Sequence, residues 1–149
     1  MNLQHTVASL RRLAELRARE VEGLEAEQVQ RQALAERARN SLRRMRELLE
    51  EVGRQSAHCP VRASNSAHYK ASLVDMIAAQ RRDLAAQEAA IEAARRALAE
   101  AALRRERVQR TLRDKQAELA RELASRDQKR QDQLALQSWV HAHRFAHAY

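Results

Sequence analysis

Apolar residues in the first third of the chain recur at alternating spacings of three and four residues. Counting from Leu3, twelve of the fifteen positions that this spacing selects are apolar. A seam of this period is typical of the a and d positions of a coiled-coil helix. We therefore predict a first helix over about residues 2–52, with its start near Asn2 or Thr6. Its seam residues are Leu3, Val7, Leu10, Ala14, Arg17, Val21, Leu24, Gln28, Arg31, Ala35, Ala38, Leu42, Met45, Leu49 and Val52.

The second half of the chain repeats the same spacing with a more polar seam. No Gly or Pro occurs from Ala67 to the end of the chain, so nothing in this part signals a stop. A second helix is predicted over about residues 67–140. Its seam residues are Leu73, Ile77, Gln80, Leu84, Gln87, Ile91, Ala94, Leu98, Ala101, Arg105, Val108, Leu112, Lys115 and Leu119.

The stretch between the two seams, about residues 53–66, is the predicted tip loop. It contains the chain's one proline, Pro60, and Gly53, one of its two glycines. Proline lacks a backbone donor, and glycine readily supplies the left-handed cap that ends a helix. A serine at 64 or 66 is expected to cap the second helix, with Asn65 as the alternative. Two helices joined this way must fold back on each other to bury their seams, so residues 1–149 are predicted to form a single all-α, antiparallel coiled-coil hairpin.

The two predicted helices differ in length. At about 1.5 Å per residue the first spans roughly 75 Å and the second at least roughly 105 Å. The start of the first helix is therefore expected beside Lys115 to Leu119, and everything after about Ala120 should overhang as a single helix. Large apolar residues return there at Leu134, Leu136 and Trp139 without a partner in the chain. An isolated helix of this kind needs a binding partner. After about residue 140 the chain is predicted to be a frayed tail to residue 149.

Composition narrows the functional classes. Aromatic residues make up 3 % of the chain and charged residues 32 %, a mixture typical of long helices without a ligand pocket. The net charge of +8 would suit a nucleic-acid partner. However, acidic and basic residues alternate along both halves, and the aromatic residues that could stack on bases are few. We therefore expect no nucleic-acid partner. The absence of a signal peptide, of a membrane span and of a second cysteine favours the cytoplasm.

No group of residues predicts catalysis or a metal site. His143 and His147 lie four residues apart, but no third ligand is placed to complete a zinc site. His58 precedes Cys59 in the tip loop, where adjacent residues rarely hold the geometry that thiol activation needs. Two glycines thirty residues apart exclude a phosphate-binding P-loop. The chain is expected to be no enzyme and to use no cofactor.

Two local patterns carry a family resemblance. Ala67-His68-Tyr69-Lys70-Ala71-Ser72-Leu73 is similar to an aromatic-led opening of a second helix, and Asp127-Gln128-Lys129-Arg130-Gln131-Asp132-Gln133-Leu134-Ala135 is similar to a charged run near a C-terminus. Together with the hairpin plan over the whole chain, they resemble the FliJ family of the bacterial flagellar type III export apparatus. The stalk proteins of injectisomes, the YscO-like family, share the plan and are the close alternative. A generic coiled-coil scaffold is a further one.

The FliJ resemblance implies a stalk in the central pore of a hexameric export ATPase, with contacts to the membrane-embedded export gate and to substrate-specific export chaperones. It implies a cytoplasmic protein at the inner face of the membrane, held there only through protein partners, that serves motility. The residues expected at the ATPase are Leu10, Arg11, Arg17, Arg126, Lys129, Arg130 and Asp132. Those expected at the gate are Tyr69, Ser72, Met76, Ala79 and Asp83, or in a register one residue later Leu73 and Ile77.

Overall fold

Two helices account for the described part of the chain. The computed structural model describes residues 2–56 and 60–146. Helix α1 comprises Leu3–Ser56 and helix α2 comprises Pro60–Ala146, and no strand occurs in these ranges. The all-α prediction is confirmed, and so is the greater length of the second helix, with 87 residues against 54.

Helix α1 begins with a capping residue. The Asn2 side-chain oxygen accepts a hydrogen bond from the Gln4 backbone N–H at 3.2 Å, and the Asn2 carbonyl accepts one from the His5 N–H at 3.0 Å. Asparagine is among the best residues for this position, because its short side chain satisfies a backbone donor that has no partner within the helix. Of the two starts expected from the sequence, the structure has the one at Asn2.

The predicted heptad seam is confirmed in both helices. Every seam position named above for α1 and α2 is buried or half-buried. The most deeply buried apolar residues all lie on this line, among them Val21, Leu42, Leu73 and Ile91. The remaining positions are mostly exposed and carry ion pairs within one helix, such as Arg95 with Glu92 at 2.8 Å. The seam therefore provides the core, and the charges solvate the outside.

The chain divides into two compact units, and the helices run antiparallel in each. In the unit of residues 19–102, Arg39 is ion-paired with Glu88, and Gln32 lines the same groove as Arg95, so residue numbers fall along one helix as they rise along the other. In the unit of residues 1–18 and 103–149, Asn2, Leu3 and Gln4 share a shallow cavity with Leu119, Glu122 and Arg126. The predicted antiparallel hairpin is confirmed.

Small and polar residues interrupt the large apolar ones along the seam. Ala35 and Ala101 are fully buried, which requires close packing around their methyl groups. The seam residues Arg31 and Lys115 pair with Glu27 and Glu118 of their own helices, each at 2.6 Å. Long cationic side chains are thus accommodated by lying along the seam edge with a carboxylate at their charged end.

The tip differs from the sequence prediction. The predicted loop at 53–66 is helical at its described positions, because α1 continues through Ser56 and α2 already begins at Pro60. Gly53 has no positive φ and is an ordinary helical residue, so the predicted left-handed cap is wrong. Pro60 occupies the first position of α2, where its missing N–H costs nothing and its fixed φ suits a helix. Positions 64 and 66, where the start of the second helix was predicted, lie inside α2 because the helix already begins at Pro60. The His58–Cys59 pair lies outside the described residues.

The other end of α2 also extends beyond the prediction. The helix continues through Ala146, six residues past the predicted end at about 140. The Trp139 and His143 rings stack one helical turn apart with centroids 4.0 Å from each other. The His143 Nδ1 also lies 3.2 Å from the Trp139 carbonyl oxygen. These contacts lie at the end of α2, where a frayed tail was predicted after about residue 140 and residues 141–146 are helical instead. Residues 147–149 lie outside the described part of the chain.

Candidate functional site

The part of α2 beyond Glu122 is an exposed single helix, which we call the overhang. Glu122 is the last half-buried residue, and every described side chain from 123 to 144 is exposed. The heptad spacing continues through it unbroken, so Arg126, Lys129, Gln133, Leu136, Val140 and His143 occupy the a and d positions. The overhang therefore presents toward solvent the same face of α2 that packs against α1 elsewhere.

The proximal part of the overhang carries the charged residues expected at an ATPase. Arg126 and Lys129 stand on the seam line itself, and Arg130 and Asp132 flank it at e and g positions. Arg126 is ion-paired with Glu122, one turn earlier. These four residues thus share one exposed face of α2.

The three α1 residues expected at the same partner are not gathered with that face. Arg126 lies beside Asn2 to Gln4, whereas Leu10 and Arg17 are six and thirteen residues farther along α1 than Gln4. Leu10 and Arg17 are half-buried seam residues, and the Arg17 Nε is shielded from solvent. Arg11 is exposed. Of the three, Arg11 is therefore the side chain most available to a partner.

The structure separates the two registers considered for the gate contact. Tyr69, Ser72, Met76, Ala79 and Asp83 are all exposed and follow spacings of three and four residues, so they form one stripe, which we call the tip face. Its two large members, Tyr69 and Met76, are 47 % and 50 % exposed. Leu73 and Ile77 are only 4 % and 7 % exposed because they belong to the seam. A partner of the intact hairpin can therefore reach the first set and not the second.

Sequence reasoning missed several exposed apolar side chains. Leu13 and Leu16 project from the start of α1, and Leu13 borders a shallow apolar groove with Ser9 and Leu10. Val74, next to the tip face, is 51 % exposed. The signal for each was available in the heptad register, since a large apolar residue outside positions a and d has no place in a two-helix core.

Neither a cluster of metal-ligand side chains nor a membrane-spanning helix occurs among the described residues. Across 2–56 and 60–146, no three His, Cys, Asp or Glu side chains are grouped as metal ligands would be. His143 contacts Trp139, and His147 lies outside the described residues. None of the described helical segments has a stretch long and apolar enough to cross a membrane.

Comparison with known protein families decides between the alternatives. The model of the family described as "Flagellar FliJ protein" matches residues 6–144, which is nearly the whole chain. The chain belongs to the FliJ family. As a FliJ-family member it is a component of the flagellar type III export apparatus. Searches of curated proteins and of solved structures gave no significant match. The FliJ match covers both helices, including the tip face and most of the overhang.

Proposed function

We propose that this FliJ-family chain is a non-enzymatic stalk of the flagellar export ATPase. In this proposal the hexameric ATPase ring receives the proximal part of the overhang, about residues 126–132, and the adjoining start of α1 in its central pore. The observation that carries it is the overhang itself, a helix that keeps its seam register for more than twenty residues after the last half-buried position, Glu122. A seam without an intramolecular partner stabilises nothing unless another protein covers it.

The ATPase contact is proposed to involve Arg126, Lys129, Arg130 and Asp132, together with Arg11. Exposed charges at a and d positions are unfavourable in a hydrophobic core and suit a polar lining. Leu10 and Arg17, which are half-buried, would act by holding the paired ends together.

The export gate is proposed to bind the tip face. Tyr69 and Met76 provide the apolar contact area, and Asp83 provides a charge at the end of the same stripe. This contact would hold the protein at the cytoplasmic side of the inner membrane through a protein partner alone. Escort of substrate-specific export chaperones belongs to the same proposal, and so does the absence of a cofactor and of a nucleic-acid partner.

The test of the ATPase contact is a charge reversal in the overhang. We expect Arg126→Glu combined with Lys129→Glu to remove the stimulation of the cognate export ATPase and its co-purification, while the helix content is unchanged. The matched control is Arg110→Glu with Arg113→Glu, which changes the net charge equally at exposed positions outside the seam. Equal stimulation by both double variants, or full stimulation by a chain ending at Glu122, would overturn the stalk proposal.

A further inference from the structure

The distal part of the overhang carries an apolar stripe that the ATPase contact does not use. Leu136, Trp139 and Val140 occupy d, g and a positions, and His143 follows at the next d. Leu136 and Trp139 are 63 % and 60 % exposed. Three large apolar side chains on one face of one helix form a contiguous patch of the kind that marks a protein interaction surface. We call this patch the distal stripe.

The shape of the distal stripe specifies a helical occupant. Its residues continue the register in which α1 packs against α2, and a 3.5-residue seam is matched by side chains of another helix that insert between its own. Helix α1 does not supply that helix, since α1 begins at Leu3, beside Leu119 and Glu122. The occupant is therefore a helix from another chain.

The charges beside the distal stripe exclude a second overhang as that helix. Arg39 and Glu88, both at e positions, pair across the antiparallel helices, which shows that e residues face each other in this arrangement. Two antiparallel overhangs that paired Leu136 with Val140 would bring Arg130 opposite Arg144 of the second copy, and this would occur twice. Two parallel overhangs would instead place Arg126 and Lys129 each against its own copy. Like charges are repelled in both arrangements.

The same charges favour an acidic partner. Arg130 and Arg144 flank the stripe at e positions and Lys129 precedes it on the seam line, against one carboxylate, Asp132, at a g position. None of the three cations has an ion-pair partner among the described residues. We infer that the distal stripe binds an amphipathic helix of another protein that carries an apolar seam flanked by carboxylates. This inference goes beyond the proposed ATPase contact, which shares Lys129 and Arg130 with it but does not use Leu136, Trp139 or Val140, so variants at these apolar positions test the inference separately.

The test uses the full chain and a synthetic helical peptide of about four heptads with Leu at a and d and Glu at e and g. Trp139 is the chain's one tryptophan, so its emission reports on the stripe directly. We expect saturable binding with a blue shift, weakened by salt. The same peptide with Lys in place of Glu should bind at least about tenfold more weakly.

Variants of the chain complete the test. Leu136→Glu combined with Val140→Glu should weaken binding of the acidic peptide by more than about tenfold, because it removes the centre of the interface. Leu134→Glu is the matched control, since Leu134 is 58 % exposed on the same overhang but lies at a b position. Equal binding of both peptides, or equal loss in both variants, would overturn the inference. Self-association that the double variant removes would also overturn it, in favour of a second copy.

Discussion

Arg39 and Glu88 join the two helices across forty-nine residues of sequence, with the Arg39 Nη2 donating to the Glu88 Oε1 at 2.9 Å. The hydrogen bond to Glu88, and a weaker contribution from Glu36, raise the pKa of Arg39 above its usual value. The pair lies beside the seam and is exposed, so it acts on register more than on total stability.

We expect Glu88→Arg to lower the melting temperature slightly at low salt, and Glu88→Gln to do so less, because only the former places two cations together. Adding Arg39→Glu to Glu88→Arg should restore part of the loss. These differences in melting temperature should vanish at about 1 M salt, where charges are screened within about 3 Å. Thermal unfolding followed by circular dichroism measures this, and a salt-independent effect would contradict it.

Gly23→Ala should stabilise the protein by about 0.5–1 kcal/mol, because Gly23 is helical without a positive φ and glycine is a poor helix former. A Cβ built there meets no atom within 4 Å, so no steric cost offsets the gain. Gly53→Ala, with equally free space, should behave alike. Chemical denaturation measures both, and destabilisation by either would contradict the helical environment described above.

Gln87→Leu should raise the free energy of unfolding by about 1 kcal/mol. Gln87 occupies a seam position, and its side-chain oxygen is buried without a hydrogen-bond donor among the described residues. Such an oxygen carries a desolvation cost that an apolar side chain of similar size avoids. Gln28→Leu, at another half-buried seam position, provides the comparison. A loss of stability in Gln87→Leu alone would mean that this amide is satisfied in solution.

Met76→Glu and Leu73→Ala should separate binding from folding at the tip end. Met76 is half-exposed, so its replacement should change stability by no more than about 0.5 kcal/mol while reducing export if the tip face binds the gate. Leu73→Ala should cost about 2–5 kcal/mol, because Leu73 is buried in the seam. Swarming motility and thermal unfolding of the same variants are the measurements. Normal motility with Met76→Glu and Tyr69→Glu together would count against the tip face.

The Glu51 carboxyl should titrate below its ordinary pKa of 4.5, because Gln55 donates a hydrogen bond to it and Arg54 pairs with it. A lowered pKa in the folded state means that the stabilisation is present above the ordinary pKa and is lost as the pH falls through the folded one. Gln55→Ala and Arg54→Ala should each move the Glu51 pKa back toward 4.5, because each removes a hydrogen bond to the carboxylate. Carbon-detected NMR titration measures this, and a Glu51 pKa that neither variant changes would contradict the assigned causes.

The seam could be predicted from the sequence because most a and d positions hold apolar residues, and their regular spacing sets the register without knowledge of distant parts of the chain. Val7, Leu42 and Ile91 illustrate this, and even polar members such as Arg31 kept the register that their neighbours set. The tip could not be predicted in the same way. Gly53 and Pro60 each permit both a helix and a break, since glycine is tolerated within a helix and proline at its first position.

The candidate surfaces were only partly accessible to sequence reasoning. A spacing of three and four residues identifies the residues that share a face of a helix, but it does not say which of two adjacent faces is buried. The set from Tyr69 to Asp83 and the pair Leu73 and Ile77 could therefore be distinguished only by their exposure in the structure. The α1 residues Leu10 and Arg17 are predicted near Arg126 because the start of α1 is predicted there. They lie six and thirteen residues beyond Gln4, the last of the α1 residues that are beside Arg126. The identity of the binding partners cannot be predicted from the residue spacing of one chain.

The fully buried alanines of the seam, Ala35 and Ala101, have a consequence for the life of the protein in the cell. A layer built on a methyl group removes far less apolar area from water than one built on leucine, so each such layer adds little to the free energy of folding. A partner that binds only the folded hairpin adds to that free energy by mass action. Copies made in excess of their partners should be degraded first, which would match the amount of this protein to that of the assembly it joins.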